Sequence, residues 1–149
     1  MRNWVLADAP ATEAFGRRLA GAVKPGDVIT LSGELGAGKT SLARGLLAAL
    51  GLAGEAPSPS FAIVQPYAPP EVRLPVLHVD LYRIEDVREI DELGLDEARA
   101  DSVLLVEWPE RAGVDYWPDA LALALEVEAD GGRRLTARVP EGWRPRWQM

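Results

Sequence analysis

The chain of 149 residues has no cysteine, one histidine, one asparagine and two lysines. Each scarcity removes a class of chemistry. Without cysteine there is neither a disulfide framework nor a thiolate metal site, and with His78 alone a multi-histidine zinc centre is excluded. No apolar run approaches the length of a membrane span, and Met1 to Asp8 lacks the apolar core of a signal peptide. The expectation is a soluble, cytoplasmic protein with no membrane partner. Basic charge is also scarce: 16 Lys and Arg stand against 23 Asp and Glu, a net charge of −7. Nucleic-acid binders draw much of their affinity from phosphate neutralisation. No autonomous DNA or RNA binding is therefore expected, and any service to nucleic acid would run through a protein partner.

What is present begins with Gly33-Glu34-Leu35-Gly36-Ala37-Gly38-Lys39-Thr40, which fits G-x-x-x-x-G-K-[ST]. In that pattern backbone N–H groups wrap a polyphosphate, the lysine reaches its β- and γ-phosphates, and the threonine hydroxyl ligates magnesium. The flanks suit it. Asp27 to Ser32 is a short β-branched strand, and Ser41 to Leu50 carries apolar residues at helical spacing before Gly51. Gly33 to Ser41 are the expected nucleotide-binding residues. Nucleotide-binding proteins that select GTP use an Asn-Lys-x-Asp segment. The only asparagine is Asn3, so ATP is the expected ligand.

The remaining pattern reads as one domain over residues 1–139 with a loosely ordered tail, Pro140 to Met149. Asn3 to Leu6 is an edge strand. Thr12 caps a helix with Phe15, Leu19 and Val23 on one face. Glu55 to Phe61 is a loop stiffened by Pro57 and Pro59. Ala62 to Gln65 is a strand stopped by Pro66. Leu74 to Asp80 and Asp101 to Glu107 are apolar strands that each end in a carboxylate, and Glu85 to Leu93 is a helix between them. Leu121 to Glu128 pairs with Leu135 to Val139 across Asp130-Gly131-Gly132 as a hairpin. The expected fold is α/β and P-loop NTPase-like: a mostly parallel central sheet, flanking helices and a C-terminal antiparallel appendage.

Ligands bind at the carboxyl ends of such strands, which puts the P-loop, Asp80 and Glu107 on one edge. Hydrolysis needs a carboxylate near magnesium and a group that orients water. Glu107, after Val103-Leu104-Leu105-Val106, is the expected metal carboxylate beside Thr40. Asp80 suits three roles: magnesium ligand, water-polarising group, or cap of the following turn. Ser58 and Ser60 are placed to sense a γ-phosphate or to form a rigid loop. Trp108 suits either the base or the core. His78 reads as a core histidine, and Arg83 suits a phosphate contact or a pair with Glu85 or Asp86. Trp143-Arg144-Pro145-Arg146-Trp147 interleaves rings and cations, as either a contact segment or a disordered end.

Together Gly33 to Thr40, Ser58-Pro59-Ser60-Phe61, His78-Val79-Asp80-Leu81-Tyr82-Arg83 and Glu107-Trp108-Pro109-Glu110 resemble the TsaE (YjeE) family of small bacterial ATPases. The resemblance spans residues from about 10 to 125. It implies a role in forming N6-threonylcarbamoyladenosine at position 37 of transfer RNA, assisting the TsaD–TsaB pair and meeting tRNA only through that complex. It also implies weak activity without those partners. In site terms it implies Lys39 on the phosphates, Thr40 and Glu107 around Mg2+, Asp80 in hydrolysis, a switch-like loop from Ser58 to Phe61, and Trp108 at the nucleotide site or its border. Ser60 stands where the family usually has threonine. It keeps the hydroxyl and drops a methyl group. From the P-loop alone, two other functions fit: a small-molecule kinase, or a nucleotide-sensing module without turnover.

Overall fold

The computed structural model describes residues 2–34, 36–54, 64–113 and 116–147. Seven strands form one mixed sheet: β1 (Arg2–Leu6), β2 (Val28–Ser32), β3 (Val64–Tyr67), β4 (Val76–Asp80), β5 (Val103–Glu107), β6 (Leu121–Val127) and β7 (Arg133–Arg138). Their order across the sheet is β1-β7-β6-β2-β5-β4-β3. The four central strands β6, β2, β5 and β4 run parallel, while β7, β1 and β3 join by antiparallel pairing. The C-terminal hairpin is thus no appendage. Leu121 to Ala124 lies beside Ile29 to Ser32, and the hairpin extends the central sheet.

Side-chain alternation along the strands divides the core. Ile29, Leu31, Val103, Leu105, Leu121, Leu123 and Leu125 face one layer, and Val28, Val79, Leu104 and Val106 face the other. Helices α1 (Ala9–Leu19) and α2 (Lys39–Ala49) supply the first layer. They cross so closely that a Cβ on Gly16 would lie 2.0 Å from Leu42 O, and one on Gly45 would lie 1.9 Å from Glu13 O. Only glycine fits at either position. The second layer comes from short α3 (Val87–Asp91), α4 (Leu95–Arg99) and the segment that follows β5, with Ile90, Leu95, Ala112 and Trp117 buried.

Several local expectations are corrected. Asp8, not Thr12, caps α1: its Oδ1 accepts the Ala11 N–H at 2.9 Å, and Pro10 fits the first turn because that turn needs no N–H. Thr12 lies inside the helix, fully buried, and donates to Asp8 O at 3.1 Å. The strand expected to stop at Pro66 runs through it to Tyr67. An edge strand tolerates a residue with no N–H on its open side. The helix expected over Glu85 to Leu93 shortens to α3 under an Asp86–Glu89 capping box.

The C-terminal segment differs most from expectation. Glu141–Arg146 forms a 3-10 turn with Trp143 buried. Arg146 binds both Asp27 oxygens, at 2.6 and 3.0 Å, donates to Ala22 O at 2.8 Å, and lies 4.2 Å from the Trp143 ring centre. Trp147 packs on Trp4 and Phe15, with ring centres 5.7 and 6.5 Å away. These residues clasp α1 and the start of β2 rather than hang free.

Candidate functional site

Parallel pairing brings the carboxyl ends of β2, β5 and β4 to one edge of the sheet. Gly33 to Gly38 leaves β2 at that edge and enters α2. Gly36 and Gly38 adopt φ of 82° and 107°, a region open to glycine and strained for side chains that carry a Cβ. Glu34 and Gly36 are exposed, Ala37 is buried, and Gly33, Gly38, Thr40 and Ser41 are half-buried. Leu35 lies outside the described residues, as do Ser58, Ser60 and Phe61 of the proline-stiffened loop.

Lys39 is the first residue of α2 and is only 5% exposed. Its Nζ donates to Gly33 O and sits 3.7 Å from the Trp108 ring centre. Burial pushes its pKa below the ordinary lysine value, opposed by the carboxylates of Glu107, Glu110 and Asp80. A cation held by one carbonyl and a ring, in the field of three acids, keeps donors free for an incoming anion.

Glu107 and Asp80 are register partners on β5 and β4. Glu107 is buried, and its Oε2 lies 2.6 Å from Nε2 of fully buried His78. His78 Nδ1 is buried without a partner among the described residues. Asp80 Oδ1 accepts the Tyr82 N–H at 2.9 Å, so the capping role is real, yet it uses a single oxygen. Burial raises the Asp80 pKa, the Tyr82 bond counters it, Glu107 adds to the rise, and His78 and Lys39 oppose it.

Trp108 has φ 59° and ψ 50°, the one non-glycine residue at positive φ among the described residues. Such a conformation costs about 1–3 kcal/mol and persists where surroundings enforce it. Here it directs the ring onto Lys39 and against Tyr82, 4.8 Å between centres. Trp108 is thus partly buried against the second core layer while its ring also covers Lys39. Arg83 is exposed, and Asp86 pairs with Arg88 instead at 2.7 Å.

Among the described residues no group of three or more His, Asp or Glu side chains gathers as a metal cage. Magnesium held together with a nucleotide takes one or two carboxylates plus phosphate oxygens and water. Glu107, with Oε1 unbonded among the described residues, and the Thr40 hydroxyl fit such a donor set. A cavity of about 220 Å³ opens on the other sheet face, lined by Thr30, Ser32, Glu110, Trp117 and Arg138. Glu110 is common to this cavity and to the field at Lys39.

Sequence reasoning placed Lys39, Asp80 and Glu107 together and missed three neighbours. His78 was read as a core residue, and its bond to Glu107 emerges only from the β4–β5 register. Glu110 follows the Glu107-Trp108 pair and adds to the field at Lys39. Arg133, at the start of β7, donates to Gly36 O at 3.2 Å across a separation of 97 residues, which no local pattern signals.

A family model described as "Threonylcarbamoyl adenosine biosynthesis protein TsaE" matches residues 6–135. A Streptomyces coelicolor protein named tRNA threonylcarbamoyladenosine biosynthesis protein TsaE is 43% identical over 113 residues, which cover 75% of this chain and 76% of that protein. A Bacillus subtilis protein of the same name is 37% identical over 135 residues, 90% of this chain and 83% of the relative. The crystal structure of Bacillus subtilis YdiB superposes with a TM-score of 0.81 at 30% identity, covering 97% of this chain and 89% of that one. On the strength of the family match and these identities, the chain belongs to the TsaE family.

Proposed function

We propose that the chain binds and hydrolyses ATP with Mg2+ and that this activity serves tRNA N6-threonylcarbamoyladenosine formation together with TsaD and TsaB. One observation supports the reading above others: a buried lysine at a P-loop faces two register-paired strand-end carboxylates. ATP draws Lys39 Nζ from Gly33 O and the Trp108 ring onto the phosphates, as a charge-assisted contact. Magnesium, when bound, neutralises charge on the β- and γ-oxygens. Thr40 and Glu107 would hold it, and His78 fixes the Glu107 carboxyl by its contact with Oε2. Asp80, raised in pKa and with one oxygen unbonded, orients the attacking water and accepts its proton.

The relatives' names carry the biological half of the reading. Their printed role is tRNA threonylcarbamoyladenosine biosynthesis. The acidic net charge of −7 fits a protein that acts on partners rather than gripping RNA. Reconstitution with TsaD, TsaB and tRNA tests it. Multiple turnovers of modification are expected to require this protein and hydrolysable ATP. Equal multiple turnover without it, or with a non-hydrolysable analogue, overturns the reading.

A further inference from the structure

Register sets Arg138 of β7, Ala122 of β6 and Thr30 of β2 in one row across adjacent strands. Val106 of β5 continues the row and belongs to the second core layer. The chain neighbours Ile29, Leu31, Leu121, Leu123 and Ala137 belong to the first, so the row faces the second side of the sheet. Ala122 fills little space there, and the cavity of about 220 Å³ opens over it, bounded by Glu110 and Trp117 from the segment after β5. Drug-sized ligands occupy pockets of roughly 300–1,000 Å³. This one suits a smaller metabolite.

Its lining is polar where a gap in a core would be apolar. Thr30 is buried and Ser32 half-buried, and neither hydroxyl makes a hydrogen bond among the described residues. Buried hydroxyls normally find a partner. Opposite charges also share the cavity: Arg138 and Glu110 both line it. Among the described residues no ion pair joins them or ties either to another side chain. β7 and β5 are three strand spacings apart, about 14 Å, which keeps the two groups from closing on each other. Opposite charges that face one cavity without meeting fit a ligand that carries both signs.

We propose that this cavity binds a small polar α-amino acid as its zwitterion. The Arg138 guanidinium takes the carboxylate, for which its fork of donors is matched. The Glu110 carboxylate takes the ammonium group, and the Thr30 and Ser32 hydroxyls meet the polar side chain. A residue inside a peptide chain has neither terminal charge, so the site selects the free amino acid. The assignment stands independently of the nucleotide reading, although Glu110 borders both sites.

NMR titration of the full chain with L-serine and L-threonine, each beside its N-acetyl and amide derivatives, tests the assignment. The reporters are the Ser32 and Ala122 amides and the Trp117 indole N–H, which is buried without a partner among the described residues. Saturable shifts at these groups are expected, with a Kd on the order of 1 mM. Each derivative lacks one charge and is expected to bind about tenfold more weakly or worse, the scale of a lost charged hydrogen bond. Arg138 and Glu110 are exposed, so Arg138→Gln and Glu110→Gln are expected to fold. The first should no longer distinguish the amino acid from its amide, and the second should no longer distinguish it from the N-acetyl form. No saturable shift from either amino acid at about 20 mM, shifts confined to residues away from the cavity, or equal affinity for either derivative overturns the assignment. Wild-type affinity in either variant overturns it as well.

Discussion

Two charged clusters among the described residues, the C-terminal clasp and the P-loop edge, are built differently. In the C-terminal clasp, Arg146 meets Asp27 through two bonds, and Asp27 Oδ2 also accepts the Lys24 N–H at 2.8 Å. Its indole Trp147 Nε1 and Arg146 Nε stay unpartnered among the described residues, but its charges cancel. At the P-loop edge, two carboxylates stand side by side, the lysine rests on a carbonyl and a ring, His78 Nδ1 is unpartnered, and Trp108 is held at positive φ. Local conflict of this kind marks functional sites, where stability is given up for binding and chemistry. The clasp stabilises the domain. On the proposed reading, the P-loop edge is organised around charge that arrives with a ligand.

Substitutions sharpen that contrast. The largest effect is expected from Glu107→Gln, which keeps the side-chain shape and removes a charge: magnesium-dependent turnover falls about a hundredfold, the scale of a lost transition-state electrostatic contact. ATP affinity measured by calorimetry changes far less. In the clasp, Arg146→Ala strands the Asp27 carboxylate and costs about 3 kcal/mol, seen as a fall in Tm of roughly 6–12 °C. Nucleotide affinity below the transition stays at the wild-type value. A clasp variant that lost ATP binding while folded would erase the distinction between the regions.

Next in size, Lys39→Ala removes the charge-assisted phosphate contact and weakens ATP roughly ten- to a hundredfold. Its Tm is expected to hold or rise, because a desolvated cation is removed. The smallest effect on stability belongs to Asp80→Asn. Burial raises the folded pKa of Asp80 above 3.8, so the folded chain binds this proton more tightly than the unfolded chain, and stability drops as pH climbs through that window. The substituted amide would keep the turn bond to Tyr82 and shed the charge. A small gain in Tm is expected at pH 7, shrinking as pH falls toward 3.8. A loss of Tm at pH 7 would show that the carboxylate stabilises the fold.

Legibility in the sequence followed the range of the interactions. The P-loop and the strands β2 and β5 were legible because their patterns are local: continuous apolar runs buried on both faces and glycines at fixed offsets. Asp80 and Glu107 were legible as strand-end acids. That they are paired, and that His78 rather than solvent meets Glu107, depends on β4 lying next to β5, a contact across 29 residues. The clasp was illegible for the same reason. Arg146 and Asp27 are 119 residues apart, so a segment rich in Arg, Pro and Trp reads as a tail until Trp4, Phe15 and Asp27 are in place. Thr12 reads as the cap in the sequence, whereas Asp8 caps the helix; Pro10 agrees with that start, because proline belongs in the turn after the cap.

Single-turnover phosphate release in the presence of TsaD and TsaB, for wild type and Asp80→Ala at matched ATP occupancy, tests the central claim most directly. The predicted result is release by wild type and none above background for Asp80→Ala, with equal ATP binding by both. Release by Asp80→Ala at the wild-type rate, or none by wild type, would contradict the account.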